Sequence, residues 1–432
     1  MNAWHAFTIT ARVHEQDYGL NGVMLMLIHT IVIPDWFQEW GRRVLRFFWP
    51  TQAGHTPEEL FLQQEEWRAV RNELRLTLQM KPTKAPLLTQ QEQHRVKRIQ
   101  ALTKQANRNN VTRTQAYWEL SQTYPELHWA LLAHIVSRNG GWNMTDLQGE
   151  WLPALMSETD RMHFYRFLET ANAYIFQDAY PQLLLYAESR RAGEPLFHLL
   201  PHFHVSRFMQ PFWISFWRTG HSSLLTLALI INEQHYIEGR IIRHPYYQQN
   251  VLNHVLFQAQ SLFQLNQVLI PHVPFLTQSS PSQKRMNLCG VVVENFSSLD
   301  ERIQIGKALY GLLYQSDVLA AVLHFAKQQP HTGSRADYWP QLFAAIRHTA
   351  VPANNHAKLN GCQLLNQHDP IYSPQLHSAW NDQALTAPDR YDWFTDTDAF
   401  RYMQSPIAPA YDEMSEEHCF GLNKIEAAAL LT

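Results

Sequence analysis

The chain has 432 residues, 45% of them hydrophobic and only 17% charged, against ~25% charged in an average domain, so it carries ample material for a large core. A formal net charge of −3 excludes a molecule that binds polyanions over its whole surface. Three cysteines, Cys289, Cys362 and Cys419, are far apart and odd in number, which predicts neither a disulfide framework nor a zinc knuckle and fits a reducing, cytoplasmic compartment.

Residues 20–33 are apolar but broken by Asn21, Gly22, His29 and Thr30, and they fall short of the ~20 residues that a spanning helix needs. Over residues 34–49 a helical wheel puts Trp36, Phe37, Trp40, Val44, Phe47 and Phe48 on one arc and Arg42, Arg43 and Arg46 opposite. Aromatic anchors against an arginine face suit a helix lying in a membrane interface, and the same pattern suits an amphipathic helix packed on its own domain. Thr56, Pro57 and Glu59 open a helix expected to reach Met80; Pro82 and Pro86 mark a linker, and a basic helix follows to Lys104. The stretch 67–113 gathers Arg68, Arg71, Arg75, Arg95, Lys97, Arg98, Lys104, Arg108 and Arg113. The ordinary reading is a solvated face, and the alternative is contact with nucleic acid.

Residues 107–147 are the densest part of the chain. Thr112 with Gln115 predicts a capping box and a helix to about Gln122. Pro125 suits the first turn of a second helix, in which Leu127, Leu131 and Ile135 face the core. Gly140 and Gly141 are expected to end it in a left-handed turn. That turn would crowd Arg138, Asn139, Trp142, Asn143 and Asp146 together, either to dock the helix end or to hold an anion or small polar ligand. Downstream, Ser157 with Asp160 opens a long helix that Pro181 should interrupt. Residues 222–238 are apolar almost all round and predict a buried central helix. Helical periodicity continues over 246–268, a short strand or a buried turn entry is expected at 289–294, and helices follow at 298–314, 317–328 and 337–347. From Asn381 the acidic chain loses its apolar periodicity and reads as an irregular tail.

HWALLAHIVSRNGGWNMTDL (128–147) resembles the signature of the YppC-like family of uncharacterised, mostly bacillar proteins, known as domain of unknown function 2515. INEQHYIEGR (231–240), VVVENFSSLDERIQIGKALYGLLY (291–314), PHTGSRADYWPQLF (330–343) and IYSPQLHSAW (371–380) are similar to the same family. The resemblance implies no reaction, cofactor or catalytic residue.

There is no glycine-rich phosphate loop, no HExxH zinc helix and no GxSxG elbow, so the common nucleotide, metalloprotease and esterase classes lose their support. A di-iron carboxylate site needs two Glu-x-x-His pairs, and only Asp160-x-x-His163 comes near. A mononuclear His and carboxylate site from Glu233, His235 and His134 is the weaker metal alternative. Glu233 and Glu238 close a strongly apolar helix at the end where its dipole disfavours negative charge. Arg240 and Arg243 are the expected compensation, with a metal or a protonated carboxyl in a pocket as the alternative. His331, Arg335 and Asp337, with Ser334 at a helix start, make a candidate anion cradle or a plain cap.

The sequence therefore predicts a mainly α, multi-helix globular bundle with one large core and little or no sheet. Its parts are an amphipathic segment at 1–50, a helical domain at 51–380 and the acidic tail at 381–432. Two functions follow as expectations. One is a non-enzymatic interaction or scaffold protein, peripheral to the cytoplasmic face of the membrane and serving a protein partner. The other is an enzyme or ligand-binding protein with a polar anion or metal pocket between helices.

Overall fold

A helix that is apolar all round has only the interior to go to, and Ser222–Ile237 goes there. Every residue from Ser223 to Asn232 is buried, and each large aliphatic side chain so placed contributes about 1.5–3 kcal/mol of transfer free energy. The computed structural model describes residues 56–80, 87–254, 257, 266–272, 287–347, 357–365, 370–409 and 414–432. The expected interfacial helix at 34–49, with Trp36, Phe37, Trp40, Arg42, Arg43, Arg46 and Phe47, lies outside these residues.

In chain order the longer helices are α1 (Gln64–Gln79), α2 (Gln90–Ala106), α3 (Asn110–Thr123), α4 (His128–Asp146), α5 (Glu158–Ala192), α6 (Met209–Thr219), α7 (Ser222–Ile237), α8 (Leu299–Leu313), α9 (Ser316–Gln328) and α10 (Ser415–Leu430). The protein is mainly α, as the periodicity predicts. Helix α7 sits at the centre, packed by α4, α5, α6 and α8. An antiparallel ribbon of β1 (Gln267–His272) and β2 (Asn287–Val292) lies against α4 and α9. Two further short pairings complete the strands among the described residues: β3 (Phe343–Ala344) runs parallel to β6 (Ile371–Tyr372), and β4 (Leu359–Asn360) pairs with β5 (Gln363–Leu364). Among the described residues no single helix is long and apolar enough to cross a membrane; the apolar pair α8 and α9 turns through 89°.

Several local expectations are corrected. Residues 58–60 form only a 3-10 turn before α1. Helix α3 starts at Asn110, three residues before the start that a Thr112 cap predicts, because Asn109 is its N-cap. Pro125 stands in the turn ahead of α4. Helix α4 then runs straight through Gly140 and Gly141. The reason is steric: a Cβ on Gly141 would lie 2.5 Å from His331 Cε1 and 2.6 Å from Asn110 Oδ1, so the missing side chain admits neighbours rather than ending the helix. Pro181 does not interrupt α5, which continues for 35 residues to Gly193 at φ 73°. Burial of Ala179, Tyr180, Pro181 and Leu183 on all sides outweighs the ~3 kcal/mol local cost of an internal proline. The expected helix over 337–347 is a 3-10 turn, Arg335–Asp337, followed by β3. The end of the 246–268 periodicity is β1 rather than helix.

The acidic tail is also corrected. Residues 381–397 have irregular backbone, yet they form a strap across the bundle. Trp393 Nε1 donates to Asn232 Oδ1 at 2.9 Å, Arg207 donates to the Phe394 carbonyl at 3.0 Å, and Arg240 donates to the Asp389 and Tyr391 carbonyls at 2.9 and 2.8 Å. Leu62 N donates to Ser405 Oγ and Ala408 N to Thr56 Oγ1, each at 3.0 Å. Helix α10 ends the chain, and Cys419 on it forms a disulfide with Cys362 beside β5. The expectation of no disulfide fails because tertiary packing of α10 on the β4–β5 hairpin joins cysteines 57 residues apart.

Candidate functional site

The residues singled out at the end of α4 and in the loop after α9 do meet, and they engage one another. Arg138 Nε donates to His134 Nε2 at 3.1 Å, its Nη2 donates to the Gln329 carbonyl at 2.5 Å, and its guanidinium lies 5.1 Å from the Phe325 ring centre. His134 in turn donates from Nδ1 to the Thr114 carbonyl at 2.9 Å. Burial, reinforced by Arg138, holds His134 neutral with its pKa lowered to about 3. Asn139 pairs with the Leu269 backbone through both amide groups at 2.8 Å, mimicking a strand neighbour and docking α4 on β1. Trp142 packs edge-on against Tyr338 at 4.4 Å, and Asn143 is half-buried.

Arg335 forms a buried ion pair with Asp146, and its Nη1 lies 2.9 Å from His418 Nε2. His418 Nδ1 reaches Gln267 Oε1 at 3.0 Å, which sets the ring as a neutral acceptor toward the arginine. His331 donates from Nε2 to Asn110 Oδ1 at 2.8 Å, and Asp337 accepts from Thr332 N and Oγ1 at 2.7 and 2.8 Å. The anion cradle is thus filled by the chain's own Asp146, and an incoming anion would have to displace a buried carboxylate. The arrangement ties α4, β1, the 331–337 loop and α10 together.

Glu233, His235 and His134 do not converge as a metal site. His235 stacks on Trp393 at 4.2 Å and 11°, while Glu233 turns the other way, and each of the three has its own partners. Among the described residues no three His, Cys, Asp or Glu side chains lie within reach of one ion. The basic stretch divides as well: Arg68, Arg75, Lys97, Lys104 and Arg108 are exposed, but Arg113 is 1% exposed and bound to Glu169 at 2.6 Å.

What the sequence did not assemble is a cavity of about 170 Å³ between α3, α4, α5, α7 and α8, with the β1–β2 ribbon at one side. Leu132, Val136, Ile175, Val268, Phe296 and Leu309 give it a mostly apolar wall. Into this wall α7 delivers Glu233. Its Oε2 accepts from Trp129 Nε1 at 3.1 Å and its Oε1 from Gln234 Nε2 at 3.2 Å. The expected compensation by arginine reaches only Glu238, which pairs with Arg243 at 2.8 Å and with Arg302; Arg240 serves backbone carbonyls instead. Glu233 is half-buried, and it lines the cavity. Desolvation pushes its pKa from 4.5 up to about 8. That shift favours the protonated carboxyl over the carboxylate at neutral pH. Between 4.5 and 8 the unfolded chain loses this proton and the native one keeps it, so this group's contribution to stability falls as pH rises across that window.

Two more titratable groups lie near Glu233. Tyr117, 4% exposed, lines the cavity edge-on to Trp129 at 5.4 Å, and among the described residues nothing hydrogen-bonds its hydroxyl. Asp178, behind α7, accepts from Asn232 and Gln182, and burial raises its pKa to about 7.

The family described as "Protein of unknown function (DUF2515)" matches residues 105–422. The chain is 42% identical over 240 residues, 56% of its own length and 72% of the relative's, to the uncharacterized protein YppC of Bacillus subtilis (strain 168). No solved structure matches it significantly.

Proposed function

The chain belongs to the DUF2515 family of proteins of unknown function, and from that premise we propose that it binds a small, largely apolar molecule in the cavity between α3, α4, α5, α7 and α8. The observation that carries this is the cavity itself, apolar in its walls with a few converging polar groups and an acid of displaced pKa, the usual composition of a ligand site. Its volume, about 170 Å³, is on the scale of the ~150 Å³ apolar cavity that takes up benzene. Toluene is the first probe. Saturating toluene should raise the thermal midpoint by several degrees, since a ligand at ~100 times its Kd adds about 2.7 kcal/mol. Ala133→Phe puts a ring into the cavity wall and should abolish the shift. A midpoint indifferent to toluene in the parent protein removes the proposal.

We propose a second role from the aromatic and arginine faces of residues 34–49: a non-enzymatic interaction protein resting on the cytoplasmic face of a membrane and presenting its helices to a protein partner. Deleting residues 1–50 should move the protein from the membrane to the soluble fraction; unchanged fractionation eliminates this role. On that face Cys362 and Cys419 meet a reducing medium, and their bond would be one that closes on oxidation.

A further inference from the structure

The cavity's polar groups define what kind of molecule belongs in it. Resting on the ligand-binding proposal, we infer that the cavity selects an uncharged, single-ring or short-chain molecule with one carbonyl oxygen, which accepts hydrogen bonds from the Glu233 carboxyl and the Tyr117 hydroxyl.

The argument begins with charge. Both cations in the lining are already matched: Arg113 by Glu169 at 2.6 Å and Arg302 by Glu238. An anionic ligand finds no cation whose charge is unmatched, since the unpartnered Nε of Arg113 offers an N–H and no spare charge, and its desolvation goes uncompensated. A cationic ligand would need Glu233 to ionise in a site where Asp178 is buried nearby. A neutral ligand meets neither penalty.

Hydrogen-bond inventory sets the ligand's polar atom. A protonated carboxyl has one O–H to give. Glu233 already accepts from Trp129 and Gln234, and the O–H of its protonated form is left to give. Tyr117 likewise has an unused O–H. Two donors face one mostly apolar space, and a carbonyl oxygen with two lone pairs can take both. The remainder of the molecule meets a mostly hydrocarbon and aromatic wall, in which Ser137, Asn172 and Gln234 are the other neutral polar groups, within about 170 Å³.

The groups facing Glu233 are Trp129 from α4, Tyr117 and Arg113 from α3, Asp178 from α5, Arg302 from α8, and Gln234 and Glu238 on its own run of chain. Asp178 ionises first, near 7, and its charge helps to hold the Glu233 proton to about 8. Carbonyl binding should therefore be level through neutral pH and weaken above about 8, where the acid becomes a carboxylate that cannot donate.

The test compares cyclohexanone with methylenecyclohexane, which has the same shape and no oxygen, by calorimetric titration of the full chain. Absolute affinities carry the ketone's own desolvation, so the informative quantity is the response to substitution. Tyr117→Phe and Glu233→Leu are each expected to weaken cyclohexanone about three- to tenfold, the range of one net hydrogen bond, and to leave methylenecyclohexane unchanged or tighter. Retained hydrocarbon binding also shows that each variant is folded with its cavity intact. Glu233→Gln keeps a donor, so it should hold cyclohexanone affinity within about threefold and remove the weakening above pH 8. If both variants shift the two probes alike, the carbonyl inference is overturned while the cavity proposal stands. Cyclohexylammonium binding more tightly than cyclohexanone also overturns it, since Glu233 would then be an ionised counter-charge. Failure of both neutral probes to bind the parent protein defeats the cavity proposal and this inference together.

Discussion

Replacing Arg113 by alanine is expected to cost about 3–5 kcal/mol of stability, enough to leave little folded protein at 37 °C. The guanidinium is 1% exposed and its partner Glu169 0% exposed, with Nη2 and Oε2 2.6 Å apart. Nη1 is held by Asn107 Oδ1 at 3.1 Å. Removing the arginine strands a carboxylate deep between α3 and α5 with no other cation to answer it. The pair itself need not be strongly favourable, because two charges were taken out of water to form it. The double change Arg113→Met with Glu169→Leu, matched in volume and free of charge, should therefore recover most of the loss. Urea unfolding of parent, single and double variants measures this. A single variant within 1 kcal/mol of the parent would mean that water reaches the pair.

Breaking the Cys362–Cys419 bond should be the second large effect. It closes a loop of 57 residues, and loss of that constraint on the unfolded chain is worth about 4 kcal/mol on the chain-entropy account. The native contacts on α10 are local to the bond. Glu426 accepts from Lys358 N at 2.6 Å and Leu359 N at 3.1 Å, and His418 sits against Arg335. Cys362→Ser and the double serine variant should lose the same amount, and the parent in excess dithiothreitol should match them. Amide exchange should quicken first in α10 and the β4–β5 hairpin. Equal urea midpoints with and without reductant would show that packing alone holds α10.

The helices that could be read from sequence are those whose signals are local. Residues 222–238 are apolar all round, and Ser298 caps α8 by accepting from Glu301 N. The misreadings share a cause. Gly140, Gly141 and Pro181 are strong punctuation in an isolated peptide, but at these positions contacts from His331, Asn110 and the core outvote it. Strands β1 and β3 exist through partners 25 and 28 positions away, at Val292 and Ile371, which no local window contains. Glu233 was visible as an acid misplaced on an apolar helix. Its setting was not, because Trp129, Tyr117 and Arg113 come from α3 and α4 and meet it only in three dimensions. Arg335 and Arg138 looked like ligand groups for the same reason: a sequence displays their charge and hides Asp146, His418 and the Gln329 carbonyl, which occupy them.

The strap over 381–409 fixes the order in which the chain can finish folding. Thr56 and Leu62 find their hydrogen-bond partners at Ala408 and Ser405, and Asn232 on the central helix waits for Trp393. A ribosome making this protein has therefore passed residue 405 before the first helices can be sealed. Throughout that interval Phe208, at the start of α6, and His235 on α7 lack the Trp393 ring that packs on both, and a growing chain in that state is a natural client for a chaperone. Truncation near residue 380 would freeze the molecule at that stage. Growth temperature and translation rate should thus govern the yield of soluble protein more strongly than the equilibrium stability of the finished fold.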